Sequence, residues 1–195
     1  MGVDLSSVAE VLQASVVQVR PGEAGGAGVV LRKADGGPVI ITNAHVARGE
    51  VGTELSIVAG HGAVGSARIV RIDVQRDIAY LTPSPLSANG EGVLFPAEVG
   101  DVSTLRPGQL VFAVGHPFGL ANAVTKGVVH SVGPVRFEAR LGNGKRDLTW
   151  IQADIRLAPG NSGGPLSDIE GRVIGINTMV AGALALAVPI SEIEL

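Results

Sequence analysis

Short apolar runs, interrupted by Gly, Pro and Asn, make up most of the chain. Ser15-Val16-Val17-Gln18-Val19-Arg20 is a β-branched run closed by Pro21-Gly22. Gly28-Val29-Val30-Leu31 leads to Asp35-Gly36-Gly37-Pro38, and Val39-Ile40-Ile41-Thr42 leads to Asn43. Residues 54–58 end at Gly60-His61-Gly62, and residues 67–72 alternate apolar and polar. Runs of this length and composition between turn formers predict strands. The same pattern resumes at residues 109–114, 123–132, 135–139, 148–153, 171–176 and 183–188, with Asn143-Gly144 as a hairpin turn. Residues 81–107 between the two halves carry Pro83, Pro85, Asn89-Gly90 and Pro96, and read as a connection holding a strand or two. Helical periodicity precedes the first strand: Ser7 and Glu10 fit a capping box, and Val8, Val11 and Leu12 share a face, predicting two or three turns. Many short strands, with few segments long enough for crossover helices, predict an all-β sandwich or barrel and oppose a parallel α/β sheet.

Composition narrows the class. With 195 residues, 46% hydrophobic and 17% charged, the chain is long and apolar enough for a well-buried core. Aromatics are only 3%, so that core must come from Val, Ile, Leu and Ala. A net charge of −3 without a basic block gives no reason to expect nucleic-acid binding. The absence of cysteine removes disulfides, thiolate metal sites and a cysteine nucleophile together. Met1-Gly2-Val3-Asp4 is no secretory signal, and the longest apolar run, residues 179–190, contains Gly182 and Pro189 and is too short to span a bilayer. The expectation is a soluble protein, extracytoplasmic or periplasmic if it is a mature fragment and otherwise cytoplasmic, with no cofactor or metal.

One stretch stands out chemically: Ala158-Pro159-Gly160-Asn161-Ser162-Gly163-Gly164-Pro165-Leu166. A nucleophilic serine needs an exposed hydroxyl and donors facing the oxyanion it creates. A Gly-rich turn supplies both, although a plain hairpin turn fits the same string. The nucleophile also needs a base, and the four histidines, His45, His61, His116 and His130, all precede Ser162. That order opposes an α/β-hydrolase, whose histidine follows its serine. The strand pattern opposes the α/β fold that a subtilisin-like order would require. His45 ends strand 39–42 within Thr42-Asn43-Ala44-His45-Val46, held firmly yet able to reach a cleft; a core histidine satisfied by backbone is the alternative. His61, between glycines, reads as a loop residue, His116 in Gly115-His116-Pro117-Phe118-Gly119 as a turn residue, and His130 as a sideways strand residue. For the carboxylate, Asp77 enters the apolar strand 78–81 and Asp73 competes; a salt bridge with Arg76 is the structural alternative for Asp77.

Together these motifs resemble the trypsin-like serine proteases, and specifically their HtrA (Deg) branch, over nearly the whole chain. Thr42-Asn43-Ala44-His45-Val46 resembles the family's histidine motif, Asp77-Ile78-Ala79-Tyr80-Leu81 its aspartate motif, and Gly160-Asn161-Ser162-Gly163-Gly164-Pro165-Leu166 its serine loop. Gly115-His116-Pro117-Phe118-Gly119 and residues 124–129 resemble the opening of its second barrel, and residues 175–178 and 185–190 the strands after the serine.

The resemblance implies two packed six-stranded antiparallel barrels in one protease domain spanning residues 1–195, the first over about residues 14–100 and the second over about 104–190. It implies a His45, Asp77, Ser162 triad, with the Gly160-Asn161-Ser162 loop forming the oxyanion hole through the N–H groups of Gly160 and Ser162. Leu157, Asn177, Thr178 and Met179 would border the primary pocket. The expected activity is serine endopeptidase action on unfolded or misfolded protein, after small aliphatic residues. Arg156, six positions before the serine, would select acidic residues if it pointed into the pocket, and otherwise is solvated or paired with Asp154. Two departures matter: no PDZ domain is expected after Leu195, and the first aromatic is Tyr80, so the N-terminal aromatics that build trimers in some relatives are missing. Homo-oligomerisation is therefore left open. A binding or chaperone-like module with a collapsed oxyanion loop is the alternative function on the same fold.

Overall fold

The computed structural model describes residues 5–22, 25–59, 62, 64–84, 94–135 and 148–195. Twelve strands in these residues close into two antiparallel six-stranded barrels. The first contains β1 (Val16–Arg20), β2 (Gly26–Arg32), β3 (Pro38–Asn43), β4 (Glu54–Ala59), β5 (Val64–Asp73) and β6 (Ile78–Pro83), in the order β1-β2-β3-β6-β5-β4. The second contains β7 (Leu110–Gly115), β8 (Ala123–Val135), β9 (Leu148–Asp154), β10 (Pro165–Ser167), β11 (Val173–Ala181) and β12 (Leu184–Pro189), in the order β10-β11-β12-β9-β8-β7.

Side-chain alternation explains the apolar runs. Successive strand residues point to opposite faces. Ile40, Ala79 and Leu81 face the core of the first barrel, while Val39, Ile41, Ile78 and Tyr80 face a second cluster shared with Trp150, Val173, Ile176, Leu186 and Val188 of the other barrel. β3 and β6 are thus buried on both faces and read as continuous apolar runs. β4 and β5 have one face in water and alternate. Ile151, Ala153, Leu166, Ile174, Ala185 and Ala187 belong to the separate core of the second barrel.

The helix α1 (Leu5–Ser15) precedes β1. It is already helical at Leu5, so Ser7 lies inside it and the capping-box reading is corrected. Val8 and Leu12 are buried, but Val11 is 60% exposed, because the helix docks along an i, i+4 line that continues into Val16. This line packs against Ala27 of the first barrel and Phe112 and Val114 of the second.

Two further expectations change, at β8 and at β10. In the connection between barrels residues 94–107 show one bridge between Val99 and Val173 and a 3₁₀ turn at Val102–Thr104, and residues 85–93 lie outside the described residues. Ala97 donates to the Val30 carbonyl at 2.9 Å and Val173 to the Glu98 carbonyl at 2.8 Å, which stitches the connection to both barrels. β8 runs unbroken through Gly133 and Pro134 to Val135. The short strand β10, at the end of the serine loop, has no counterpart in the apolar pattern. Asn143-Gly144 and His61 lie outside the described residues. Among those residues no helix is long and apolar enough to cross a membrane.

Candidate active site

His45 sits just beyond β3 on a single helical turn, α2 (Ala44–Ala47). Asp77 closes the tight turn between β5 and β6 with φ of 56°, a left-handed conformation that Asp tolerates better than most residues. The strain is over-determined by hydrogen bonds. The Asp77 carbonyl accepts from the Ala44 N–H at 3.0 Å and from Asn43 Nδ2 at 2.9 Å. Its Oδ1 accepts from the His45 N–H at 2.9 Å, and its Oδ2 meets His45 Nδ1 at 2.5 Å. With Nδ1 turned to the carboxylate, Nε2 is the ring nitrogen left for another partner.

Asp73 is elsewhere. Its Oδ2 pairs with Arg76 at 2.9 Å, and Arg76 also reaches Glu192 at 2.8 Å. Burial pushes the Asp73 carboxyl up, but backbone and side-chain hydrogen bonds from Arg76 outweigh it and the net shift is downward. Arg76 therefore ties the β5–β6 turn to the C-terminal segment and leaves Asp77 to the imidazole.

Ser162 comes from the second barrel, yet its backbone is anchored on the first: the Ala27 N–H of β2 donates to the Ser162 carbonyl at 2.9 Å. Gly163 has φ of +83°, and a Cβ there would lie 2.2 Å from the Ala27 carbonyl oxygen and 2.3 Å from Thr42 Oγ1. Only glycine lets the loop press this closely on β2 and β3. The Ser162 hydroxyl donates to the Thr178 carbonyl at 3.2 Å.

The peptides flanking the serine have a defined sense. The Pro159 carbonyl accepts from the Phe118 N–H at 3.2 Å, and the Asn161 carbonyl from the Gly164 N–H at 3.1 Å. In a trans peptide the N–H points opposite to the C=O. The N–H groups of Gly160 and Ser162 are thereby turned away from those partners, and among the described residues neither is spent on a backbone carbonyl. The Asn161 N–H is spent, closing a turn on the Ala158 carbonyl at 3.0 Å.

His45, Ser162, Gly160, Leu157, Thr178 and Met179 all line one open cleft of about 420 Å³. Asn177 does not. It is fully buried behind the serine loop, where Nδ2 donates to the carbonyls of Gly164 at 3.2 Å and Pro165 at 2.8 Å. Arg156 is exposed and absent from the lining residues.

A family profile for the trypsin-like peptidase domain matches residues 9–176. The chain belongs to the trypsin-like peptidase family. Its relatives include serine protease HTRA2, mitochondrial, from Drosophila virilis, 36% identical over 157 residues that make up 80% of this chain and 35% of the relative. Serine protease HTRA1 from Xenopus tropicalis is 36% identical over 172 residues, 88% of this chain and 35% of the relative. This trypsin-like peptidase domain thus spans about a third of the length of the curated relatives it matches. The structure of the HtrA-type protease AlgW with decapeptide shares its fold, with a TM-score of 0.78 at 23% identity over 97% of this chain and 65% of that one.

Two residues of this trypsin-like peptidase site carry no signal in the apolar pattern. Asn43 is fully buried and its Nδ2 also reaches Thr178 Oγ1 at 3.1 Å, so one side chain spans the barrels behind the imidazole. His116 is the other: it stands at the turn the sequence indicates, its carbonyl accepting from the Gly119 N–H at 3.1 Å, and it is only 4% exposed.

Proposed function

We propose that this trypsin-like peptidase domain is a serine endopeptidase with Ser162 as nucleophile, His45 as general base and Asp77 as the group that orients the base. The observation that carries the reading is the cleft itself. His45, paired from behind with Asp77, lines it together with Ser162, and among the described residues neither the Gly160 nor the Ser162 N–H is spent on a backbone carbonyl. In the reaction the hydroxyl leaves the Thr178 carbonyl for His45 Nε2, which takes its proton as Oγ attacks a peptide carbonyl. Asp77 holds the Nδ1–H tautomer and stabilises the imidazolium. The Gly160 and Ser162 N–H groups receive the oxyanion, a role in which one donor is worth about 3 kcal/mol of barrier.

The substrate is a polypeptide in extended form, and unfolded protein is the class to test first; the fold is shared with AlgW, solved with a decapeptide. The primary pocket, bordered by Leu157, Thr178 and Met179, favours small or medium aliphatic residues, and an exposed Arg156 outside the cleft gives no acidic preference. A fluorophosphonate probe should label wild type and not Ser162→Ala, with β-casein cleavage lost in parallel. Absence of labelling in wild type would support a binding or chaperone-like module instead. A peptide library varied at P1 should favour Val, Ala or Leu; a strong preference for Glu or Asp would overturn the pocket assignment.

A further inference from the structure

The serine loop is shaped from below by residues 115–122. The His116 N–H donates to the Gly160 carbonyl at 3.0 Å and the Phe118 N–H to the Pro159 carbonyl at 3.2 Å. The fit is close: a Cβ on Gly160 would lie 2.2 Å from the His116 carbonyl oxygen, and one on Gly115 2.7 Å from the Asn161 Cα. This short segment therefore decides which way the Pro159–Gly160 peptide faces, and with it whether the Gly160 N–H looks into the cleft.

The segment is itself latched through the His116 ring. Nδ1 accepts from the Asn122 N–H at 3.3 Å, closing the 116–122 loop on itself. The Asn122 carbonyl in turn accepts from Gln13 Nε2 of α1 at 2.8 Å. As an acceptor, Nδ1 must be unprotonated, which places the proton of the neutral ring on Nε2. The ring is buried, and burial pushes its pKa down to about 4; the Val17 backbone on β1 pulls the other way, and the positive charge of Arg20 lowers it further. Nε2 has no partner at ordinary hydrogen-bond distance among the described residues. Arg20 is the charged group acting on the ring, and the groups that latch it, Asn122 and Gln13, are neutral. A proton on Nδ1 would set two donors against each other at the Asn122 contact and leave a charge buried without a carboxylate.

Resting on the protease reading, we propose that His116 is a positioning residue: its neutral imidazole, braced through Asn122 by Gln13 of the N-terminal helix, holds residues 115–118 so that the Gly160 N–H faces the oxyanion. Protonation of that ring or loss of its acceptor lets the peptide turn, and the hole closes without damage to His45, Asp77 or Ser162.

Wild type, His116→Leu and His116→Asn decide this. His116→Leu removes the acceptor and is expected to lose roughly tenfold to a hundredfold in kcat with KM within about twofold. His116→Asn offers an amide oxygen near the place of Nδ1 and cannot be protonated, so it should recover most of the lost kcat at neutral pH. Between pH 5 and 4 the wild type should show a reversible fall in kcat that is steeper than the fall in His116→Asn. Full kcat in a folded His116→Leu protein, or the wild-type acid limb in His116→Asn, overturns the proposal; where the Leu variant does not fold, the Asn profile decides alone. The Gly160 amide resonance, followed by NMR, separates this inference from the protease reading. A wild type inert to peptide and probe defeats that reading, yet a Gly160 amide moved by His116→Leu still upholds the latch, and an unmoved one defeats it.

Discussion

The proposed triad needs a base, an orienting carboxylate and a nucleophile, and the sequence carries His45, Asp77 and Ser162 in that order. The resemblance singles out Asp77, but spacing alone leaves open which aspartate meets the ring. That depends on Arg76, whose guanidinium takes Asp73 and Glu192 and leaves Asp77 to accept from His45 through both carboxylate oxygens. His116 was illegible for a different reason: a histidine between Gly115 and Pro117 has the local signature of a turn, and its burial exists only once the serine loop lies against it. The sharpest prediction at this scale concerns Asp77→Asn. The amide keeps an oxygen for the His45 N–H, so the melting temperature should hold within a few degrees. It also presents N–H to Nδ1, which favours the wrong tautomer and should lower kcat by about 10⁴. Peptide turnover and a thermal melt read the two effects separately; a loss below tenfold would mean that Asp77 does not orient the base.

Elements were legible where both faces of a strand are buried, because β2, β3 and β6 then show as unbroken apolar runs bounded by turn residues. β8 misled because Gly133-Pro134 looks like a stop. It pairs with β7 through Ala123 to Val128 and with β9 from Val128 onward, so Pro134 lies where one side of the strand has already lost its neighbour and needs no N–H there. β10 has three residues, too few for any period to show. The serine loop joins these elements, and its contact with β2 and β3 makes a second prediction. Gly163→Ala should cost about 2–3 kcal/mol, since the backbone is left-handed and the new methyl meets the Ala27 carbonyl and Thr42 Oγ1. The loop must lift from β2 to relieve it, so kcat should fall by roughly a hundredfold. Gly36→Ala is the control: φ is +85° but nothing lies within 4 Å, so it should cost only about 1 kcal/mol and leave kcat alone. Equal losses in the two variants, measured by denaturant melts and turnover, would show that backbone strain alone, rather than the contact with β2, matters.

At the scale of the molecule, two closed barrels invite the expectation of two independent folding units. The packing says otherwise. The cluster between them draws Val29, Leu31, Ile41, Ile78 and Tyr80 from the first barrel and Trp150, Ile176, Leu186 and Val188 from the second, and it is as well buried as either barrel's own core. α1 covers both barrels, Asn43 bridges them, and the serine backbone is fastened across the gap. Separating the barrels would expose this surface at roughly 25 cal/mol per Å², too costly for either to persist alone near neutral pH. Denaturation should therefore be a single transition. Trp150, the one tryptophan, is 2% exposed inside the shared cluster and reports on it directly. Its fluorescence should change together with far-UV circular dichroism, and fluorescence loss ahead of dichroism would show that the barrels part first. The same transition carries a pH dependence. The His116 ring binds its proton at about pH 4 in the folded state against 6.5 when unfolded. Between those values the unfolded chain holds more protons, so the contribution of His116 to stability is complete above pH 6.5 and is lost as pH falls towards 4. His116→Asn should flatten that slope at both probes together, because the ring sits where β1 of one barrel meets the serine loop of the other.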